Sequence, residues 1–233
     1  MNVIRRLVLT SVGLLTYPLL CVANKLRFSG AEKLKDLPSR NVLFVSNHQT
    51  YFADVIALLH VIGAAKWGRR ERLGLPLYLL NPITNVFYVA AEKTMKSSWL
   101  SRLFSLAGAV TVKRTWNTET HETRKGLDSS DSRRMARTLE NNWLITFPQG
   151  TTAPLAPGRL GTALLIKICR PLVIPVVIKG FSEAFERRGL HLRHKGTSLS
   201  VQFMDPLILD YEAPNETILA QIMDGIGQST VHS

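Results

Sequence analysis

The chain has 233 residues, of which 45% are hydrophobic, which is enough to build one large domain with a proper core. Its formal net charge of +12 at pH 7 calls for an acidic partner: nucleic acid, an anionic membrane surface or a phosphorylated substrate. The basic residues are spread along the chain without an RNP, zinc-finger or basic-zipper pattern, so no nucleic acid is expected among the partners.

Residues 7–24 carry no charge and are flanked by Arg5-Arg6 and by Lys25. They can form a secretory signal, a short transmembrane helix interrupted by Pro18, or a helix in the membrane interface with the arginines at the headgroups. A helix docked on the protein's own core is the structural alternative. Apolar residues fall all around the segment, which favours membrane attachment. We therefore predict a membrane-associated helix at 1–27 and a single domain at 28–233.

The two cysteines, Cys21 and Cys169, lie in apolar stretches with neither metal-ligand spacing nor a pairing pattern. They are predicted to be buried free thiols in a reducing compartment, and no metal site is expected.

A polar, turn-rich linker is predicted at 28–40, followed by a buried strand that ends at Ser46-Asn47 and runs into His48. Asp54 follows shortly after and opens an apolar stretch with helical length. An imidazole oriented by a carboxylate can remove a proton from a hydroxyl or a thiol. The alternative is a histidine that caps the helix while Asp54 solvates it.

Residues 63–80 are first basic, with one tryptophan, and then apolar with aromatic content. That mixture suits a membrane-contacting surface, and equally an ordinary surface loop followed by a packed helix. Further strands are predicted at 85–91 and 109–112, with a helix at 94–106 between them. The third strand runs into Lys113-Arg114, two cations that can hold a phosphate or remain a solvated strand end.

A helix capped by Ser130 or Asp131 and a fourth strand at 144–147 come next. The strand breaks at 148–152, a Gly-containing turn that can receive an anion or a sugar hydroxyl, or be a plain turn. Arg159, near the start of the next helix, is another candidate phosphate ligand.

Residues 172–178 read as a central strand in which Pro175 implies a bulge or an edge. A half-buried strand at 198–203 and a helix at 215–225 complete the pattern. Strands that alternate with helices predict an α/β fold: a mixed, largely parallel sheet covered by helices, with an N-terminal membrane-associated helical segment.

Four blocks stand in a fixed order: Asn47-His48 with Asp54, Gly108 to Arg114, Phe147 to Thr151, and the apolar run with Pro175. In order and spacing they resemble the glycerolipid acyltransferases, the family of lysophosphatidic acid acyltransferase. That family's signatures are N-H-x4-D, G-x5-R, F-P-E-G-T and a valine/isoleucine-rich block with a proline. The resemblance covers roughly residues 26–211 and makes 28–233 an acyltransferase domain.

The resemblance implies transfer of a fatty acyl group from acyl-CoA or acyl-carrier protein to the free hydroxyl of a lysolipid, foremost 1-acyl-glycerol-3-phosphate. These thioesters are co-substrates, and no cofactor is implied. The implied location is a membrane, at the cytoplasmic face of the inner membrane. His48 would be the general base and Asp54 would hold its tautomer. The implied substrate-binding residues are Lys113, Arg114, Gln149, Gly150 and Thr151, joined by Arg159 as a candidate phosphate ligand.

Two departures from the family's motifs bear on this assignment. The acid follows at His-x5-Asp, because Ala53 occupies the expected position, and one extra residue turns a helical position by about 100°. We expect a loop or bulge before Asp54 to absorb it. Gln149 replaces the glutamate of F-P-E-G-T and removes a negative charge beside the acceptor, which fits a lyso-aminolipid or another lysophospholipid. A non-catalytic lipid-binding protein is the other alternative. A serine hydrolase would require a G-x-S-x-G elbow, which the sequence lacks.

Overall fold

The computed structural model describes residues 2–92, 99–113 and 129–229. Within them, seven strands form one sheet in the order β1-β7-β6-β2-β5-β3-β4. The strands are β1 (Lys25–Ser29), β2 (Val42–Ser46), β3 (Val86–Ala91), β4 (Ala109–Val112), β5 (Trp143–Thr146), β6 (Leu172–Lys179) and β7 (Ser198–Phe203). The helices are α1 (Asn2–Cys21), α2 (Ala53–Lys66), α3 (Trp99–Gly108), α4 (Ser129–Asn141), α5 (Leu160–Cys169), α6 (Phe181–Ala184) and α7 (Asn215–Gly225).

Five neighbouring strands, β6, β2, β5, β3 and β4, run parallel to one another. β7 pairs antiparallel to β6, and β1 pairs parallel to β7. The mixed, largely parallel sheet predicted from the sequence is therefore confirmed. Since the five parallel strands share a direction, their carboxyl ends meet at one edge. β2 lies where the chain order reverses, with β5 on one side and β6 on the other, and such a switch point opens a crevice in α/β sheets.

Both faces of the sheet are covered, which explains the continuous apolar runs of its central strands. In β2, Val42 and Phe44 join the core beneath α1 and α2, while Leu43 and Val45 join a second core beneath α4, α5 and α7. All five residues of β2 are buried.

Helix α1 is docked on the domain and also carries an exposed apolar face. Leu9, Val12 and Leu20 are buried, and the buried Arg5 guanidinium donates hydrogen bonds to the carbonyl oxygens of Thr84, Val86 and Ala107. The helix continues through Pro18. Residues 3–21 are long and apolar enough to cross a membrane, and only 22% of that stretch is buried in the domain. One face of the helix is therefore docked on the domain. Attachment of the exposed face to a membrane stays a prediction.

β1 corrects the predicted linker. Residues 25–29 pair with β7 through the whole strand, so the predicted boundary between 27 and 28 falls inside a strand of the sheet. The strand has the alternation of a half-buried edge, with Leu26 and Phe28 inward. Because the strand is short and comes directly after an apolar helix, its alternation of exposed and buried residues is hard to recognise in the sequence.

Pro175 lies inside a strand that is interior to the sheet, without a bulge in the pairing with β2. β6 pairs with β7 only from Val176 onward, and the Pro175 carbonyl accepts a hydrogen bond from the Met204 amide, just beyond β7. Pro175 therefore lies where the pairing of β6 with β7 ends. At this local edge of the sheet no N–H donor is needed from residue 175.

The segment after α2 forms a 3₁₀ turn, Pro76–Leu80, instead of a packed helix. Its Tyr78 and Leu79 are buried, whereas Leu75 and Leu80 are exposed. The two cysteines are free but only half-buried.

Candidate active site

His48 leaves the sheet at the carboxyl end of β2, where Asn47 extends the ladder with its side chain. The Asn47 amide nitrogen donates to the Ile178 carbonyl at 2.9 Å, and its amide oxygen accepts from the Ile178 N–H at 2.8 Å. This two-bond pairing with β6 fixes the direction in which the chain enters the loop. Residues 47–52 are non-helical, and α2 begins only at Ala53.

That loop absorbs the extra residue of the His-x5-Asp spacing. Nδ1 of His48 lies 2.9 Å from Oδ2 of Asp54, a side chain without solvent exposure. The same carboxylate accepts the amide protons of Gln49 and Thr50, at 2.6 and 3.0 Å, and the Thr50 hydroxyl at 2.7 Å. A carboxylate held by four donors is fixed in place, and it fixes the ring in turn.

The tautomer of His48 follows from this geometry. A carboxylate can only accept, so Nδ1 carries the proton and Nε2 presents its lone pair to the solvent side. The ring stacks on Phe147 with 4.0 Å between centroids and lies parallel to Tyr51 at 6.5 Å. With 14% of its side chain exposed, the imidazole is reachable along one edge. The arrangement suits a general base.

A cleft of about 130 Å³, here called the apolar cleft, opens in front of His48. It is lined by Phe52, Val55, Tyr88, Phe104, Val112 and Phe147 on its apolar side. Lys113, Gly150, Thr151 and Arg159 form its polar side. The structure thus brings five of the sequence-predicted site residues to one cleft.

The two cations of this cleft are held by neighbouring elements. The backbone amide of Lys113 donates to Asp131 of α4 at 2.7 Å, which fixes the end of β4. Asp131 was predicted as a possible helix cap. It lies inside the first turn of α4, and its carboxylate binds the end of a neighbouring strand. The Arg159 amide donates to the Pro148 carbonyl at 2.9 Å. Arg114, the third predicted cation, lies outside the described residues.

The turn after β5 requires glycine at position 150. Its backbone has a φ of 61°, and a Cβ there would lie 2.8 Å from Nε of Arg159. The Gly150 amide donates to the Phe147 carbonyl at 2.9 Å, so this donor is already engaged. The absence of a side chain lets the Arg159 guanidinium lie against the turn.

Gln149 is 2% exposed and is not among the residues that line the apolar cleft. Its amide nitrogen donates to the Ala156 carbonyl and to Oε1 of Gln228, both at 3.0 Å. Oε1 of Gln228 also accepts the Leu155 amide proton at 2.9 Å. This amide pair ties the turn to the segment after α7.

A second cleft of about 400 Å³, here called the basic cleft, also ends at His48. Arg187, Arg193 and Thr152 belong to its wall, with Gln49 and Ser182. Neither arginine was assigned a role from the sequence. The signal was present, since residues 187–195 hold four lysines or arginines and two histidines.

A second histidine lines neither cleft and lies inside the contact between α1 and α2. His60 is 3% exposed, with Nδ1 2.6 Å from the Tyr78 hydroxyl and Nε2 3.0 Å from Oγ1 of Thr16. The Thr16 hydroxyl donates to the Val12 carbonyl, so it accepts from Nε2–H, while Tyr78 donates to Nδ1. Burial lowers the pKa of His60 to about 4 and raises that of Tyr78. Both side chains are therefore neutral.

The chain is similar to known proteins both in sequence family and in fold. The family model described as "Acyltransferase" matches residues 25–179. The fold is similar to the crystal structure of the 1-acyl-sn-glycerophosphate (LPA) acyltransferase, PlsC, from Thermotoga maritima, with a TM-score of 0.54 and 14% identity over 96% of this chain and 79% of that one. No curated protein sequence matches the chain.

Proposed function

Because the chain belongs to the acyltransferase family, we propose that it moves a fatty acyl group from an acyl thioester to the free hydroxyl of a lysolipid, with 1-acyl-glycerol-3-phosphate as the main acceptor. The observation that supports this proposal is the His48–Asp54 pair, 2.9 Å apart, in a cleft with apolar walls and two cations. Such a cleft matches a fatty acceptor that ends in a phosphate. The Thermotoga maritima protein of similar fold is described as acting on an acceptor of this class.

The reaction is a direct transfer with His48 as the base. Nε2 takes the proton of the acceptor hydroxyl while the hydroxyl oxygen attacks the thioester carbonyl carbon. The new carbon–oxygen bond forms, the carbon–sulfur bond breaks, and the imidazolium returns the proton to the leaving thiolate. Asp54 keeps its hydrogen bond to Nδ1–H and stabilises the imidazolium.

The turn at 148–152 supplies a donor for the oxyanion of the tetrahedral intermediate. The Gly150 amide already donates a hydrogen bond to the Phe147 carbonyl, so we assign the oxyanion donor to Thr151. Its hydroxyl oxygen accepts from the Ala153 amide at 3.3 Å, which leaves the hydroxyl proton to donate into the cleft. Lys113 and Arg159, with Arg114, bind the acceptor's phosphate.

The distance between His48 and Asp54 favours catalysis over a non-catalytic lipid-binding role. A different acceptor, suggested by Gln149, is not favoured, because its amide nitrogen bonds to Ala156 and Gln228. These hydrogen bonds explain the glutamine at position 149 by its structural role, so the acceptor's headgroup is not needed to explain it.

The same proposal places the protein on a membrane through α1 and the 3₁₀ turn beside it. Val3, Ile4, Leu7 and Leu15 expose 61 to 74% of their surface, and Leu80 of the turn exposes 73%. Thr10 of α1 donates to the Leu79 carbonyl at 2.7 Å, which joins the two elements. Their exposed side chains form one apolar surface, here called the membrane face.

The test is acyl transfer by the full-length protein in mixed micelles, with lysophosphatidic acid and palmitoyl-CoA as substrates. Wild type forms phosphatidic acid, and His48→Ala forms none above background while keeping the same unfolding midpoint. Monoacylglycerol, which lacks the phosphate, is acylated far more slowly. Thioester consumption that is equal for wild type and His48→Ala would refute the proposed base, and an acyl group trapped on a serine would refute direct transfer.

A further inference from the structure

The basic cleft is left without a role by the transfer reaction itself, although His48 forms its inner end. Eight of its eleven lining residues are polar or charged. It meets the apolar cleft at one imidazole, so two ligands can reach His48 from two directions. Direct transfer can use this arrangement, because hydroxyl and thioester must be bound together, about 3 to 3.5 Å apart, at the moment of attack.

The wall of the basic cleft is a fixed loop that comes after β6 and α6. Phe185 and Leu192 form an antiparallel bridge, the Glu186 amide donates to the His191 carbonyl, and the Arg193 amide donates to the Ala184 carbonyl, both at 2.9 Å. A loop closed in this way presents its side chains at defined positions.

Arg187 is joined directly to the histidine motif. Its carbonyl accepts the Tyr51 amide proton at 2.9 Å, its Nε donates to the Thr152 hydroxyl, and its guanidinium carbon lies 5.9 Å from the Tyr51 ring centre. Arg193 is an exposed residue of the same loop, and its Nη1 donates to the Ser182 carbonyl at 3.3 Å. Both side chains line the basic cleft, whereas Lys113 and Arg159 line the apolar cleft.

The local charge is strongly positive. Residues 179–195 contain Lys179, Arg187, Arg188, Arg193 and Lys195 against two glutamates. Three of the lining residues, Ala153, Pro154 and Phe185, are apolar, and the others are polar or charged, so the cleft suits a charged ligand that also has short aliphatic stretches. Guanidinium groups bind phosphate oxygens with two parallel hydrogen bonds, which makes a phosphorylated ligand the best match.

We propose that the basic cleft binds the phosphorylated pantetheine arm of the acyl donor, with Arg187 and Arg193 on its phosphates and the thioester carbonyl at His48. The proposal rests on the proposed function and adds the direction from which each substrate arrives. The phosphorylated pantetheine thioester can come from coenzyme A or from an acyl-carrier protein, because both carry the same chemical arm.

The test measures binding without turnover. S-hexadecyl-CoA is a thioether and cannot transfer its chain, and its dissociation constant is measured with the full-length protein in neutral micelles. Arg193→Gln, which keeps the Arg187–Thr152 contact, weakens binding about ten-fold, and the double Arg187→Gln/Arg193→Gln variant weakens it further. The matched control is Arg137→Gln, an exposed arginine of α4 on the other face of the sheet, which binds like wild type.

A second arm distinguishes the sources. The same variants are titrated with an acyl-carrier protein that carries the hexadecyl thioether. The donor is the source that wild type binds more tightly and that the double variant binds more weakly than wild type does. In transfer assays the double variant raises the KM for the thioester and leaves the KM for lysophosphatidic acid unchanged.

Three results would overturn the assignment: equal thioether binding by wild type and the double variant, an equal rise in both KM values, or a loss confined to binding of phosphatidylglycerol vesicles. The last would make the loop a membrane contact. If wild type binds the thioether through these arginines but acylates no lysolipid, the proposed function fails and the donor site stands.

Discussion

His48 owes its orientation to groups that the sequence motif does not all reveal. Asp54 holds Nδ1, Thr50 holds Asp54 through its hydroxyl and its amide, and Phe147 of the next motif stacks on the ring. Because the imidazole is restrained by a hydrogen bond at Nδ1 and by a ring on one face, Nε2 is the nitrogen left available to a ligand.

Replacing Asp54 by asparagine tests this restraint. The amide can donate to Nδ1 and so favours the wrong tautomer, and we expect kcat to fall roughly 10³- to 10⁴-fold. The measurement is kcat with saturating lysophosphatidic acid and thioester. The double variant with His48→Ala should be no slower than His48→Ala alone, since the two residues act as a unit. Additive losses would show that Asp54 acts independently of the imidazole.

Gly150→Ala tests the turn. A Cβ at φ 61° is strained and would also lie 2.8 Å from Nε of Arg159, so the guanidinium must move. We expect the KM for the acceptor to rise at least several-fold, with about 1 kcal/mol lost in stability. Gly68→Ala is the matched control, because Gly68 has φ 79° with nothing within 4 Å of its Cβ. If both variants keep the wild-type acceptor KM, Arg159 does not bind the phosphate.

At the scale of elements, the site depends on side-chain contacts that tie the ends of three strands to distant parts of the chain. Asn47 ties the end of β2 to β6, Asp131 of α4 ties the end of β4, and the Gln149–Gln228 pair ties the turn after β5 to the segment after α7. Together these contacts hold the edge of the sheet at which His48 lies.

Gln149→Glu would restore the family's motif and yet is expected to impair this protein. A carboxylate cannot donate to the Ala156 carbonyl, and it would face two oxygen acceptors in a buried position. We expect about 1 to 3 kcal/mol of destabilisation by thermal unfolding and a lower kcat. Gln149→Ala, which removes the donor without adding charge, should cost less. A Gln149→Glu variant that is more active than wild type would return the position to acceptor recognition.

The contact between α1 and α2 predicts an acid-sensitive stability. His60 is neutral in the fold with a pKa lowered to about 4, whereas the unfolded chain takes up a proton near pH 6.5. The unfolded state binds more protons between these values, so stability falls as pH is lowered from 6.5 towards 4, by roughly 3 kcal/mol in all. Above pH 6.5 His60 adds nothing to the pH dependence of the free energy of unfolding.

The measurement is the free energy of unfolding by urea in neutral micelles at several pH values between 4 and 8. His60→Gln removes the titrating group, and its stability relative to wild type should improve steadily below pH 6.5. A difference between the two proteins that stays constant with pH would contradict the buried, neutral assignment of His60.

For the whole molecule, the two faces of the sheet differ in the side chains they leave exposed. The face beneath α1 and α2 presents the membrane face, with Leu7 62% and Leu15 74% exposed. Deleting residues 1–24 would be a poor test of membrane binding, because α1 also buries Leu9, Val12 and Leu20 in the domain's core.

Leu7→Glu/Leu15→Glu is the sharper test, since both side chains point away from the core. We expect the fraction of protein that floats with anionic vesicles to fall at least several-fold, because two charges would enter the membrane interface. The control is Ile208→Glu, a side chain 96% exposed in the segment between β7 and α7, which should float like wild type. Equal flotation of all three proteins would place the membrane contact elsewhere.

The order of strands and helices and the identity of the histidine motif can be read from the amino-acid sequence alone. Local signals carry that information: apolar runs in β2, β4 and α7 show where elements lie, and the motif residues are close together in the chain. β1 was not predicted as a strand, because its alternation of exposed and buried residues covers only five residues at the edge of the sheet.

The groups that meet at the site could be identified only in three dimensions. The loop before α2 could absorb the extra residue or lose the dyad, and the outcome depended on Thr50 and the backbone around Asp54. Gln149 reaches Gln228, 79 residues away, and Arg187 reaches the wall of a cleft that ends at His48. Such contacts depend on the pairing of β2 with β5 and β6, and no local pattern in a single sequence records that pairing.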